Sequence, residues 1–76
     1  MNVRLHASLR KYLPPGAVDD TVAVDLAPGA SVADVIAQLG IPENHAKIAV
    51  VDGQQAELQT RLRDGQNLSL FPPLAG

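Results

Sequence analysis

Only one stretch of this sequence has the period of a helix, and it stands between stretches that alternate. From Ser31 to Gly40, the residues Val32, Val35, Ile36 and Leu39 recur at i, i+3, i+4 and i+7, which puts them on one helix face. Ser31 stands at the N-cap position. Asp34, three residues on, completes the pattern of a capping box and suits the positive end of the helix dipole. Gly40 supplies the stop and Pro42 prevents continuation. The spacing predicts a helix of about two turns.

Period-two segments lie on both sides of it. Met1 to Ala7 alternates, with Val3 and Leu5 facing a core and Arg4 and His6 facing outward. Ser8 stands where an N-cap would stand, and Leu9, Tyr12 and Leu13 give one apolar face over a short helical turn that Pro14-Pro15-Gly16 ends. Thr21 to Leu26 reads as a second strand with Val22, Val24 and Leu26 inward. Pro28-Gly29 is a turn. After the helix, Lys47 to Val51 is short and β-branched, and Asp52-Gly53 is a hairpin signal leading to a weak return strand from Gln54 to about Leu58. Leu62 is an isolated apolar anchor in a polar loop. Asp64-Gly65 is a further turn, and Asn67 to Phe71 is the last strand. The order β, β, helix, β, short β, β in 76 residues predicts an α+β domain, one mixed sheet of four to five strands with the helix packed across one face. The first and last strands can lie parallel at its middle, because a helix-containing connection separates them.

Size and composition narrow the function. A chain this short buries about 60% of its unfolded surface, and its two aromatic residues, Tyr12 and Phe71, leave an aliphatic core with no room for a large internal pocket. On size alone, an enzyme with its own substrate cleft is not expected. The net charge is −2, and four Arg and two Lys are spread along the chain, so no basic face for nucleic acid is expected. There is no Cys, hence no disulfide, thiolate nucleophile or thiolate ligand. No apolar run approaches the ~18 residues of a membrane span, and no signal-peptide pattern opens the sequence, so a soluble cytoplasmic protein with no membrane partner is expected.

The tail carries the functional signal. Pro72 and Pro73 stop the last strand, since neither donates a ladder hydrogen bond, and both Phe71 and Pro72 are pushed toward extended backbone by the proline that follows. Residues 1–71 are therefore read as the domain and 72–76 as an extended tail, whose five residues reach roughly 16 Å at ~3.3 Å each. Leu74, Ala75 and Gly76 lack the bulk to fold back and bury themselves. Such a tail suits insertion into a narrow active site of another protein, although short termini also fray. Period two places Phe71 outward beside the tail, either as a docking anchor for a partner or as a ring tucked over the sheet edge.

The ending Phe71-Pro72-Pro73-Leu74-Ala75-Gly76 resembles that of the ubiquitin-like sulfur carriers, the MoaD/ThiS family, and within it most resembles the small subunit of molybdopterin synthase. Leu9-Arg10-Lys11-Tyr12-Leu13-Pro14-Pro15-Gly16 and Leu62-Arg63-Asp64-Gly65 are similar to that family's first connection and final turn. The resemblance covers essentially the whole chain and implies the ubiquitin-like β-grasp fold. The family ends in two glycines, and when aligned on Pro72-Pro73, Gly76 falls on the penultimate one.

The resemblance also implies a chemistry. A ubiquitin-activating-enzyme-like adenylyltransferase uses ATP to form an acyl-adenylate on the terminal Gly, here Gly76, and sulfur then replaces the adenylate to give a thiocarboxylate. The tail enters the large subunit of molybdopterin synthase and donates sulfur to precursor Z, building the dithiolene of molybdopterin. Phe71, Pro72, Pro73, Leu74 and Ala75 are then the partner-binding residues and Gly76 the reacting one, with no catalytic side chain in the chain itself. A carboxylate is a poor electrophile until activated, and a Gly has no Cβ to block attack at its carbonyl. No Gly-rich phosphate loop is present, so no bound cofactor is expected and ATP belongs to the activating partner. A carrier for thiamine or another pathway, a ubiquitin-like modifier joined to lysines, and an interaction module without tail chemistry are the alternatives.

The remaining candidates are weak. His6 and His45 keep no metal-ligand spacing with an acid or thiol and read as exposed surface residues, so no metal is expected. Asp19-Asp20 reads as a solvated, unstructured pair.

Overall fold

The first and last strands of the chain meet at the middle of its sheet. A computed structural model describes residues 1–73, without the Glu43 side chain. Its strands are β1 (Asn2–Leu5), β2 (Thr21–Ala23), β3 (Ile48–Val51), β4 (Gln54–Ala56) and β5 (Asn67–Phe71), and its α-helix is α1 (Val32–Gln38). Two short 3₁₀ helices, Ala7–Tyr12 and Glu43–His45, complete the elements. The sheet order is β2-β1-β5-β3-β4. β1 and β5 run parallel, with Val3 opposite Leu68 and Leu5 opposite Leu70, and the other pairings are antiparallel. The expected mixed sheet is present with five strands.

Alternation along the two central strands makes the core. Val3, Leu5, Leu68 and Leu70 are at most 1% exposed and face α1, which buries Val32, Val35 and Ile36 against them. Each such side chain contributes about 1.5–3 kcal/mol when fully buried. The capping box is formed as the sequence predicts. The Asp34 N–H donates to Ser31 Oγ at 3.3 Å, and the Ser31 N–H donates to Asp34 Oδ2 at 2.9 Å. The next two helix donors are also held, Val32 N–H by the Thr60 carbonyl and Ala33 N–H by that of Leu58. The loop before β5 is therefore bound to the helix start, and Leu62, 5% exposed, anchors it in the core. Asp52 and Gly53, with φ of 48° and 86°, form the expected tight hairpin with both central residues left-handed.

Three local expectations are corrected. β2 stops at Ala23 rather than Leu26, because its neighbour β1 begins at Asn2 and offers no further ladder. Val24 is still buried and bonds through its N–H to the Met1 carbonyl at 2.8 Å. Ser8 is not an N-cap. Strand geometry persists through His6, whose N–H reaches the Leu70 carbonyl, and Ala7 turns the chain into the 3₁₀ helix at once, with φ of 53°. Asp19-Asp20 is not unstructured. With φ of 53° and 61°, the pair forms a two-residue turn closed by reciprocal 3.0 Å hydrogen bonds between Val18 and Thr21.

Candidate functional site

Every residue at the root of the tail is placed there by the parallel pairing of β1 with β5. Because Leu5 faces Leu70, the next residues, His6 and Phe71, leave the two central strands side by side on the face away from α1. Their rings stack, with centroids 4.1 Å apart and planes 11° from parallel. On the other side Ile48 of β3 stands opposite Phe71, and the Lys47 N–H donates to the Phe71 carbonyl at 3.1 Å. Phe71 is thus half-buried and held by neighbours on both sides. Both sequence alternatives for it are partly realised: the ring is outward, and it is packed.

This overturns the reading of His6 as an exposed surface histidine. His6 is half-buried with one ring face covered by the stack, and Nε2 is buried with no hydrogen-bond partner among the described residues. Burial pushes the imidazole below its ordinary value of 6.5; the nearby Arg4 guanidinium adds to this and Asp20 opposes it. The fold therefore favours the neutral ring over the charged one. The signal for this lay in the sequence only jointly, since an aromatic ring at the end of one strand pairs with a ring at the end of another only once their register is known.

Beyond Phe71 the chain runs past the first 3₁₀ helix. Pro72 is half-buried and Pro73 exposed. Together with Ser8, Leu9, Lys11, Tyr12 and His45 they line a cavity of about 160 Å³. Leu9 is 1% exposed and fixes the 3₁₀ helix to the core. Tyr12 OH and His45 Nδ1 are hydrogen-bonded at 3.1 Å, joining the two 3₁₀ helices across 33 positions of sequence. Lys11 Nζ lies 5.3 Å from the Tyr12 ring centre, within cation–π range. His45 thus remains exposed but is fixed in place. The turn that delivers this helix is strained at Ala7, a left-handed conformation that costs a non-glycine residue about 1 kcal/mol.

Of the sequence-derived site residues, Phe71, Pro72 and Pro73 lie together at this root. Leu74, Ala75 and Gly76 lie outside the described residues. Among the described residues, no three His, Cys, Asp or Glu side chains gather as a metal site. No helix there is long and apolar enough to cross a membrane.

One helix across a five-stranded mixed sheet, with parallel central strands and a tail leaving the last of them, is the fold of the ubiquitin-like sulfur carriers and modifiers. Residues 1–75 match the model of the Mut7-C ubiquitin domains, and the chain belongs to that family. Two structures of small archaeal modifier protein 1 from Haloferax volcanii, also called SAMP1, are each 26% identical to it. They give TM-scores of 0.69 and 0.71, cover 99% and 96% of this chain, and are matched over 96% and 95% of their own length. A provisionally assigned molybdopterin converting factor subunit 1 from Pyrococcus furiosus shares the fold at 24% identity and TM-score 0.70, covering 96% of this chain and 95% of its own. No curated protein sequence matches the chain.

Proposed function

We propose that this protein is a sulfur carrier whose tail is activated at Gly76 by a ubiquitin-activating-type adenylyltransferase and converted to a thiocarboxylate. The observation that carries this reading is the union of tail and scaffold. The Phe71-Pro72-Pro73 segment leaves a strand held on both sides, so the residues beyond it are presented from a rigid base. The activating enzyme supplies ATP. Hydrosulfide-level sulfur attacks the acyl-adenylate on the tail, the carbon–sulfur bond forms with loss of the sulfur's proton, and AMP leaves with the oxygen that linked it. The acceptor is taken to be the molybdopterin precursor, with the large synthase subunit as second partner. The tail sequence supports that choice over thiamine, as does the assignment of the Pyrococcus protein as a molybdopterin converting factor subunit.

A second reading, conjugation of the tail to protein lysines, draws support from the likeness to the Haloferax modifier. It shares the adenylation step and differs in the nucleophile. The test is the intact mass of the untagged protein from its native cells. A gain equal to the difference between sulfur and oxygen supports the carrier, and a branched peptide joining the tail to a lysine supports the modifier. A free carboxylate under induced cofactor synthesis rejects both in favour of an interaction module. Gly76→Val is expected to abolish activation with the melting temperature unchanged; persistence of activation refutes the threading of a narrow tail.

A further inference from the structure

Charges of both signs stand at the tail end of the sheet, where Asp20 lies beside Leu5 and 3.9 Å from the Arg10 guanidinium. The chain is acidic, at −2, yet both of its lysines stand exposed at the tail end. Lys11 lines the cavity beside Pro72 and Pro73, and Lys47 bonds through its N–H to the Phe71 carbonyl. At the opposite end, Asp25 follows β2, Asp52 Oδ1 accepts from the Asn67 N–H at the start of β5 at 2.9 Å, and Asp64 lies 3.9 Å from the Met1 ammonium.

The cavity beside the prolines draws on Lys11 rather than on these carboxylates. Among the described residues its polar side chains are those of Ser8, Lys11, Tyr12 and His45, and no described carboxylate lines it. The Lys11 ammonium and the Ser8 hydroxyl are donors suited to an anion, the Tyr12 hydroxyl is a third when His45 Nδ1 carries the proton of their shared bond, and a charge-assisted hydrogen bond is roughly twice as strong as a neutral one. At about 160 Å³ the space is well below the ~300 Å³ at which small-molecule pockets begin, so a nucleotide does not fit but one side chain does. The two prolines form one wall, so whatever enters is fixed relative to the tail.

We propose that this cavity receives an acidic side chain, Asp or Glu, from the enzyme that activates the tail, and that the contact sets how far the tail enters. The proposal rests on the carrier reading for its choice of partner. From Pro73 the three remaining residues reach about 10 Å at ~3.3 Å each, so a stop at the root fixes the depth of the carbonyl to be attacked. Lys11, braced against the Tyr12 ring, makes the ion pair. Tyr12, positioned by His45, supplies the hydroxyl.

The test is the affinity of the intact chain for the ubiquitin-activating-type adenylyltransferase encoded in the same genome, with ATP-dependent activation measured in parallel. Lys11→Glu is expected to raise both Kd and KM roughly tenfold and to lower kcat, because the carbonyl is no longer held at its depth, with Lys11→Arg restoring most of the loss. Tyr12→Phe, which keeps the ring, is expected to raise Kd about threefold. Lys47→Glu, outside the cavity, is expected to act only through the general field and to lose its effect in roughly 0.5 M salt. An unchanged Kd for Lys11→Glu, in a variant whose melting temperature matches the wild type, overturns the proposal. Equal, fully salt-sensitive effects of Lys11→Glu and Lys47→Glu overturn it too, because they reduce the cavity to diffuse attraction. Wild-type chain that binds through Lys11 but is never activated refutes the carrier reading and leaves the cavity assignment standing. Activation indifferent to Lys11 does the reverse.

Discussion

The two faces of the sheet are built from neighbouring residues of the same strands and are used in opposite ways. Toward α1, Leu5, Leu68 and Leu70 are sealed at 0–1% exposure by aliphatic neighbours. One residue further along each central strand, His6 and Phe71 form a stacked pair that faces away from the helix. The inner face has no polar atom to satisfy and gains from burial alone. The outer pair includes a buried nitrogen, His6 Nε2, that has no partner among the described residues. The aliphatic burial that stabilises the domain thus sits on the face of β5 toward α1.

Leu70 is where the two faces should part most sharply. Leu70→Ala is expected to cost about 3 kcal/mol, a large part of the stability of so small a domain, read by urea unfolding. A loss below about 1 kcal/mol would mean that the inner face is not the seat of stability. Phe71→Ala, one residue away, is expected to weaken binding to the activating enzyme by ~1–2 kcal/mol. Lost stability with an unchanged Kd would move Phe71 to the inner-face class. Ser31→Ala removes the cap of α1 and is expected to cost about 1 kcal/mol while leaving that Kd alone, since the helix lies across the sheet from the outer pair.

The smallest effect is a titration. His6 is depressed in the fold, so the native state favours the neutral ring and the unfolded state binds the proton more readily. Its contribution is fully present above the ordinary value of 6.5 and is lost as pH falls from there toward the lowered folded value. Urea midpoints taken from about pH 7.5 down to about pH 5 should decline, and His6→Phe, which keeps a stacked ring but cannot titrate, should flatten that part of the curve. An identical slope in both proteins would show that the fold does not favour the neutral imidazole.

Much of the fold was legible because its signals are local. The Ser31–Asp34 box, Gly40, Asp52-Gly53 and the alternation of Asn67 to Phe71 each specify their own backbone. The parallel middle pair followed from the position of the helix between two sets of strands. What escaped depends on partners distant in sequence. β2 is short because β1 starts at Asn2, a limit imposed by its neighbour. His6 reads as exposed by period two, and becomes covered only because the register brings Phe71 beside it. The bond between Tyr12 and His45 joins two short helices whose approach no single segment encodes. Asp19-Asp20 lacks the glycine that marks a left-handed turn, so its two-residue bend gave no signal. Of the candidate site, the residues at 71–73 are proposed from the tail itself, whereas Ser8, Lys11, Tyr12 and His45 join them only in the folded chain.

The central place of β5 also has a mechanical meaning. The tail continues a strand clamped to β1 on one side and to β3 on the other, each along four residue pairs. A pull along the tail loads both ladders lengthwise, so their rungs must fail together rather than one after another. Tension applied through Pro72 and Pro73 is thus shared between two four-pair ladders instead of peeling one edge.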